Sequence, residues 1–288
     1  MSLFKRCLRQ YVELNLHVSF ALLSLVLLTY RYAGIPCNWN YLAFAVLGTL
    51  VAYTYIKNVP ARASFKSGVL LVLQRSPWWV HALAIISVLL VTAFNVAQQL
   101  GLVLVMTLSL GYILPAPIKL APFRDYGAIK IVIVALVWSG ISVVLPLLIS
   151  NHVSEEIVLL FLAQTLWVIV LTIPFEIRDA GKDVLRHPTW PQKLGLLRAK
   201  ILGTVLLIIC ALIHLYLLRM GLDIEPEVDM ESELPITFWD IPFVITLSLT
   251  CFGLIMARSK QSFWYSAFWI EAIPIVWLVM TYFFGINL

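Results

Sequence analysis

Apolar residues run along this chain in long unbroken stretches, not in the alternation that marks a half-buried surface element. Scanning for apolar runs of about 17 to 25 residues, the length a helix needs to cross a bilayer, gives segments at 14–31, 40–56, 79–96, 100–115, 131–149, 157–175, 200–218, 238–257 and 264–285. Because these runs are apolar all round, a β-barrel is excluded, since its strands alternate polar and apolar over about ten residues. The expected fold is an all-α integral membrane bundle of nine transmembrane helices, one domain over residues 1–288. The polar break Asn95-Val96-Ala97-Gln98-Gln99 predicts a tight hairpin between spans three and four, and Pro115 and Pro117 stop span four.

Composition agrees. Of 288 residues, 61% are hydrophobic and 12% charged, with 20 Lys+Arg against 15 Asp+Glu, and the mean hydropathy is +0.95. A soluble domain of this size needs about twice that charge to cover its exterior. The N-terminal Lys5-Arg6-Cys7-Leu8-Arg9 precedes an apolar run but no small-x-small cleavage site lies near Tyr30 to Gly34, so a retained first span is expected. Cys7, Cys37, Cys210 and Cys251 are too scattered to propose a disulfide framework or a zinc site.

The net charge of +5 could be taken for a nucleic-acid footprint. Placing the N-terminus in the cytoplasm puts 18 of the 20 basic residues on that side, leaving only Arg31 and Arg219 outside. Nine acids then fall outside and five inside (Glu13, Asp125, Glu176, Asp179, Asp183), with Glu271 inside a span. The positive balance is topology, and no nucleic-acid partner is expected. The acidic run Asp223 to Glu233 reads as a solvated outer loop.

The acids that remain inside are the most informative. In Pro174-Phe175-Glu176-Ile177-Arg178-Asp179-Ala180-Gly181-Lys182-Asp183, Asp179 and Asp183 are four apart, and at about 100° per residue Glu176 falls on the same helical stripe. Three carboxylates at a helix C-terminus repel one another and oppose the macrodipole. Two readings compete. A Mg²⁺ shared with a substrate diphosphate would resolve the conflict, or Arg178, Lys182 and Arg186 neutralise a solvated helix end.

This stretch, followed by Thr189-Trp190-Pro191-Gln192-Lys193-Leu194-Gly195, resembles the second aspartate-rich motif of the UbiA-type intramembrane prenyltransferases. Tyr112-Ile113-Leu114-Pro115-Ala116-Pro117-Ile118-Lys119 is similar to that family's Tyr-x-x-Pro-x-x-x-Lys-like sequence after span four. The resemblance implies Mg²⁺ on Asp179 and Asp183, with Glu176 in support, and transfer of an isoprenoid chain from a prenyl diphosphate to a lipophilic acceptor at the cytoplasmic membrane face. It also implies an integral multi-pass protein, of the cell membrane if bacterial. The chain departs from the family's first aspartate-rich motif: Ala52 to Arg62 holds no acid, and Thr54, Lys57 and Ala61 stand at the acidic positions.

Lys57 could therefore neutralise a diphosphate directly or pair with Asp179 and Asp183. With Arg62, Lys66 and Arg75 it forms a cationic stretch that would attract a diphosphate or an anionic lipid head group, and that also serves as topology signal. The diphosphate contacts expected are Lys57, Arg62 and Lys119. Glu271, in Trp269-Ile270-Glu271-Ala272-Ile273-Pro274, is an intramembrane acid and by default a functional group with an interior partner. Lys130, His81 and His17 are the partners expected. It would bind the acceptor or take its proton, or else hydrogen-bond between helices at a Pro274 kink. The missing motif also leaves open a non-catalytic protein that binds a prenyl lipid or a membrane partner. A transporter ranks third, because no discontinuous helices recur in two halves.

Overall fold

The computed structural model describes residues 3–60, 63–114, 122–152, 156–181, 188–219 and 240–285. Arg62, Lys119, Asp183 and the acidic run 223–233 lie outside them. The described chain is helical, with α1 (Leu3–Glu13), α2 (Leu16–Tyr32), α3 (Trp39–Asn58), α4 (Phe65–Arg75), α5 (Trp78–Val91), α6 (Val96–Ile113), α7 (Gly127–Ser139), α8 (Leu145–Ile149), α9 (Glu156–Asp179), α10 (Trp190–Leu194), α11 (Leu196–Arg219), α12 (Asp240–Met256) and α13 (Ile273–Gly285). A short 3₁₀ turn, Phe123–Asp125, precedes α7, and two π-helical segments, Gly140–Val144 and Tyr265–Ile270, join α7 to α8 and lead toward α13.

This is an integral multi-pass membrane protein. Six helical stretches are long and apolar enough to cross a bilayer alone: α3, α6, Gly127–Ile149, α9, Leu196–Leu217 and Tyr265–Phe284. Two bent pairs, α1 with α2 (66°) and α4 with α5 (111°), raise the number to eight. Nine were expected. The difference is α12, whose apolar part Ile241–Met256 is shorter, the start of that expected span lying outside the described residues.

The bends have local causes. Between α1 and α2, Asn15 adopts a left-handed φ of 64°, a conformation asparagine tolerates better than most residues. Its side chain donates from Nδ2 to Thr54 Oγ1 at 3.0 Å, fixing the bend to α3. Between α4 and α5, Pro77 forces Ser76 into extended backbone (ψ 137°). The anticipated hairpin is present: α5 ends at Val91, and Asn95 caps α6 in a reciprocal capping box with Gln98.

The core sits among α2, α3, α7, α9 and α13, with Trp167, Tyr30 and Tyr41 the largest fully buried side chains. In the first π segment the carbonyl of Ile141 would take its bond from residue 146, which is a proline without an N–H. The Tyr41 hydroxyl donates to it instead, from α3. Close approach of α11 to α9 rests on Gly203, where a Cβ would lie 2.7 Å from Leu254 and 2.9 Å from Ile173. Small residues at such crossings let membrane helices pack by contact where no hydrophobic drive exists.

Candidate functional site

Helices α3, α6, α7, α9 and the last span enclose a cavity of about 170 Å³. Its walls are mostly apolar and aromatic: Tyr53 from α3, Tyr112 from α6, Ile131, Val134 and Trp138 from α7, and Val168, Leu171 and Phe175 from α9. The polar groups are few, namely Lys130, Thr172, Glu176 and Glu271, with the two tyrosine hydroxyls. Trp138 Nε1 donates to the Tyr53 hydroxyl at 3.2 Å, which ties α7 to α3 across the cavity. This is the composition of a ligand pocket, apolar with a small set of convergent polar atoms.

On the α7/α9 wall the described charges sit in two ion pairs. Lys130 Nζ lies 3.0 Å from Glu176 Oε1, both side chains only 11% exposed. Arg178 clasps the neighbouring Asp179, with Nε donating to Oδ1 and Nη2 to Oδ2, both at 2.7 Å. Its Nη1 donates to Ser266 Oγ at 2.7 Å, reaching the second π segment, and its guanidinium stands 5.4 Å from the centre of the Phe175 ring. The helix end is closed from below as well. Thr189 caps α10 in a capping box with Gln192, and Gln192 Nε2 donates to the Ala180 carbonyl at 2.7 Å.

The opposite side is different. Glu271 follows the π segment, where its N–H donates to Ser266 O across five residues and the helix breaks before Pro274. Among the described residues its carboxylate accepts no hydrogen bond. The charges that reach it are those of Lys57 and Arg178. Lys57, at the end of α3, donates to the Glu13 carbonyl at 3.0 Å and so also ties down the end of α1.

Arg124 lies in the 3₁₀ turn before α7 and is 8% exposed. Nη1 donates to the Ile56 carbonyl at 3.0 Å, one residue before Lys57. Nε and Nη2 are buried with no hydrogen-bond partner among the described residues. Burial pulls this guanidinium below the usual arginine range, against the pull of Tyr112 and Asp125 in the other direction.

Several expectations change against this geometry. Glu176 does not share a solvated stripe with Asp179, because it is turned into the bundle toward Lys130 while Asp179 is held by Arg178. Lys57 is bound to the Glu13 carbonyl and not to Asp179. None of the three partners foreseen for Glu271 serves it. Lys130 is bound to Glu176. His17 Nε2 donates to the Phe268 carbonyl at 2.9 Å, and His81 Nδ1 meets the Tyr55 hydroxyl at 3.1 Å. Tyr53, Trp138 and Arg124 were not foreseen. Tyr53 had a signal, four residues before Lys57 on one helical face, whereas Arg124 reads as one more cytoplasmic cation.

A Mg²⁺ ion carrying a diphosphate needs free carboxylate oxygens. The described residues include no group of three or more His, Cys, Asp or Glu that could hold a metal. On the α9 side both oxygens of Asp179 are engaged by Arg178, and on the α3 side no acid is present between residues 52 and 62. The described donors do not fit the ion, and Asp183 lies outside them.

Two solved structures share this fold. The chain is similar to a UbiA homologue from Aeropyrum pernix K1, in its apo form, at 16% identity and a TM-score of 0.62, covering 93% of this chain and 97% of that one. It is also similar to a UbiA homologue from Archaeoglobus fulgidus bound to DMAPP and Mg²⁺, at 14% identity and a TM-score of 0.59, covering 96% and 99%. No protein-family model matches the sequence, and no curated protein matches it. The fold is thus that of the UbiA homologues over nearly its whole length.

Proposed function

We propose that this protein is a UbiA-like membrane prenyltransferase that moves an isoprenoid chain from a prenyl diphosphate to a lipophilic acceptor at the cytoplasmic membrane face. The observation that carries the reading is the aromatic cavity with a few polar groups in its wall, Glu271 among them under the charges of Lys57 and Arg178. The shared fold, and the DMAPP and Mg²⁺ held by the Archaeoglobus protein, support it. In the reaction the allylic C–O bond breaks, pyrophosphate leaves, and the acceptor's nucleophile bonds to the freed carbon. Tyr53, Tyr112, Trp138 and Phe175 supply ring faces to the developing allylic cation. Lys57, Arg62 and Lys119 meet the diphosphate, whose departure needs charge stabilisation. Glu271 orients the acceptor's polar head and receives its proton.

Mg²⁺ is the cofactor that the likeness suggests, on Asp179 and Asp183. It gains Asp179 only when Arg178 lets go.

That contact favours a second reading, a protein that keeps the fold to bind a prenyl lipid without turning it over. The test is purified protein in liposomes with labelled farnesyl or geranylgeranyl diphosphate and candidate acceptors, with and without Mg²⁺. Pyrophosphate release with a prenylated product supports the enzyme. Binding without product supports the second reading, and neither binding nor turnover overturns both.

A further inference from the structure

The first aspartate-rich segment of the resembling family is replaced here by a segment without acids, and something must take over its share of an anionic ligand. Around the end of α3 the described structure offers two cations. Lys57 is exposed and bound to a carbonyl. Arg124 is the unusual one. A guanidinium carries five N–H donors in a rigid fork, and here one end of the fork is anchored on the Ile56 carbonyl while Nε and Nη2, at 8% exposure, have no hydrogen-bond partner among the described residues. Leaving charged donors buried and unanswered is costly. The fork is anchored at the end of α3, one residue before Lys57, and the turn that carries it leads into α7, whose Lys130 and Ile131 line the cavity.

We infer that Arg124 is a built anion donor that holds the diphosphate of a prenyl diphosphate through its free Nε and Nη2 without a divalent cation, in place of the metal an acidic α3 would carry. The inference rests on the prenyl-diphosphate reading above and makes it specific. Three features fit together. The α3 segment has no acid to bind a metal. The described acid of the α9 end, Asp179, is already neutralised by Arg178. And the unanswered donors are of the type that takes phosphate oxygens two at a time.

The experiment measures binding of a non-hydrolysable farnesyl thiodiphosphate to the purified full chain, by calorimetry and by thermal shift, in EDTA and in Mg²⁺. Wild type is compared with Arg124→Gln, Arg124→Lys and, as control, a change at the exposed Lys260, Lys260→Gln. Affinity in EDTA is expected within about threefold of that in Mg²⁺. Arg124→Gln should weaken binding about 10- to 100-fold, the range of a lost charge-assisted bond. Arg124→Lys should fall between, keeping charge but losing the fork, and Lys260→Gln should bind as wild type. Without ligand, Arg124→Gln should melt close to wild type, because the bond lost at Ile56 is offset by the removal of two buried unanswered donors. An arginine that serves only the fold would lower that melting temperature and leave affinity alone, which overturns the inference. So does binding that vanishes in EDTA and returns with Mg²⁺. In both cases the prenyl-diphosphate reading survives, whereas a wild type that binds nothing in either buffer removes both. A parallel arm with phosphatidic acid vesicles separates the sources of phosphate: Arg124-dependent capture of the vesicles in preference to the thiodiphosphate overturns the inference as well.

Discussion

The two sides of the cavity treat charge in opposite ways. Along α7 and α9, Lys130 answers Glu176 and Arg178 answers Asp179, at 3.0 and 2.7 Å. At the end of α3, Arg124 keeps two buried donors without hydrogen-bond partners among the described residues, and on the last span Glu271 presents a carboxylate toward the cavity. A closed ion pair in a low-dielectric interior holds helices in register, and its removal is felt by the fold. Open valences in the same interior cost stability, and a ligand that closes them recovers that cost. Charge near a cavity is therefore a poor guide to function by itself. What separates scaffold from site is whether the protein has already satisfied it.

The sharpest way to break that contrast is to open the closed side. Lys130→Met strands Glu176 beside the cavity and should cost about 3–5 kcal/mol, read as thermal or denaturant unfolding in detergent. The double change Lys130→Met with Glu176→Leu should recover most of it, because neither charge then remains. A double variant as unstable as the single one would show that the pair is not what holds α7 to α9. Next in size, Glu271→Gln should slow prenyl transfer about 100-fold or more, the scale of a lost proton acceptor, with the melting temperature unchanged. A large drop in melting with normal turnover would move Glu271 to the scaffold side. Arg178→Ala frees Asp179 and should create a weak divalent-ion response absent from wild type, seen as Mg²⁺-dependent thermal stabilisation, and Asp179→Asn in that background should abolish it. The smallest effect belongs to Thr189→Ala, which removes the cap of α10 and should cost about 1 kcal/mol, with little change in ligand binding.

Much of the scaffold was legible because membrane solvation leaves few options. A long apolar run must be helical, and the polar break from Asn95 to Gln99 marked the hairpin, which the structure closes with a cap between Asn95 and Gln98. Glu271 was legible as an interior acid at a helix break, since an acid in a span has no bland position. Other features were hidden for physical reasons. The bend at Asn15 depends on one left-handed residue, which no apolar pattern encodes. The Lys130–Glu176 pair joins residues 46 apart in sequence, so spacing on α9 alone placed Glu176 with the wrong neighbours. Asp179 followed the other reading of its stretch, neutralisation by Arg178. Arg124 is hardest to see. Its neighbours are ordinary loop residues, and only the chain's path to Ile56 buries it.

The π segment before Glu271 has a consequence for how such a site arises or disappears. A π turn is a helix carrying one surplus residue. Deleting a single residue from Tyr265–Ile270, for example Ala267, would let an ordinary helix run through and rotate Glu271 by about 100° against the preceding turn. The carboxylate would leave the cavity with every side chain of the site unmutated. Possession of this group is thus a matter of register, and one insertion or deletion could grant or withdraw it where no substitution at the site would.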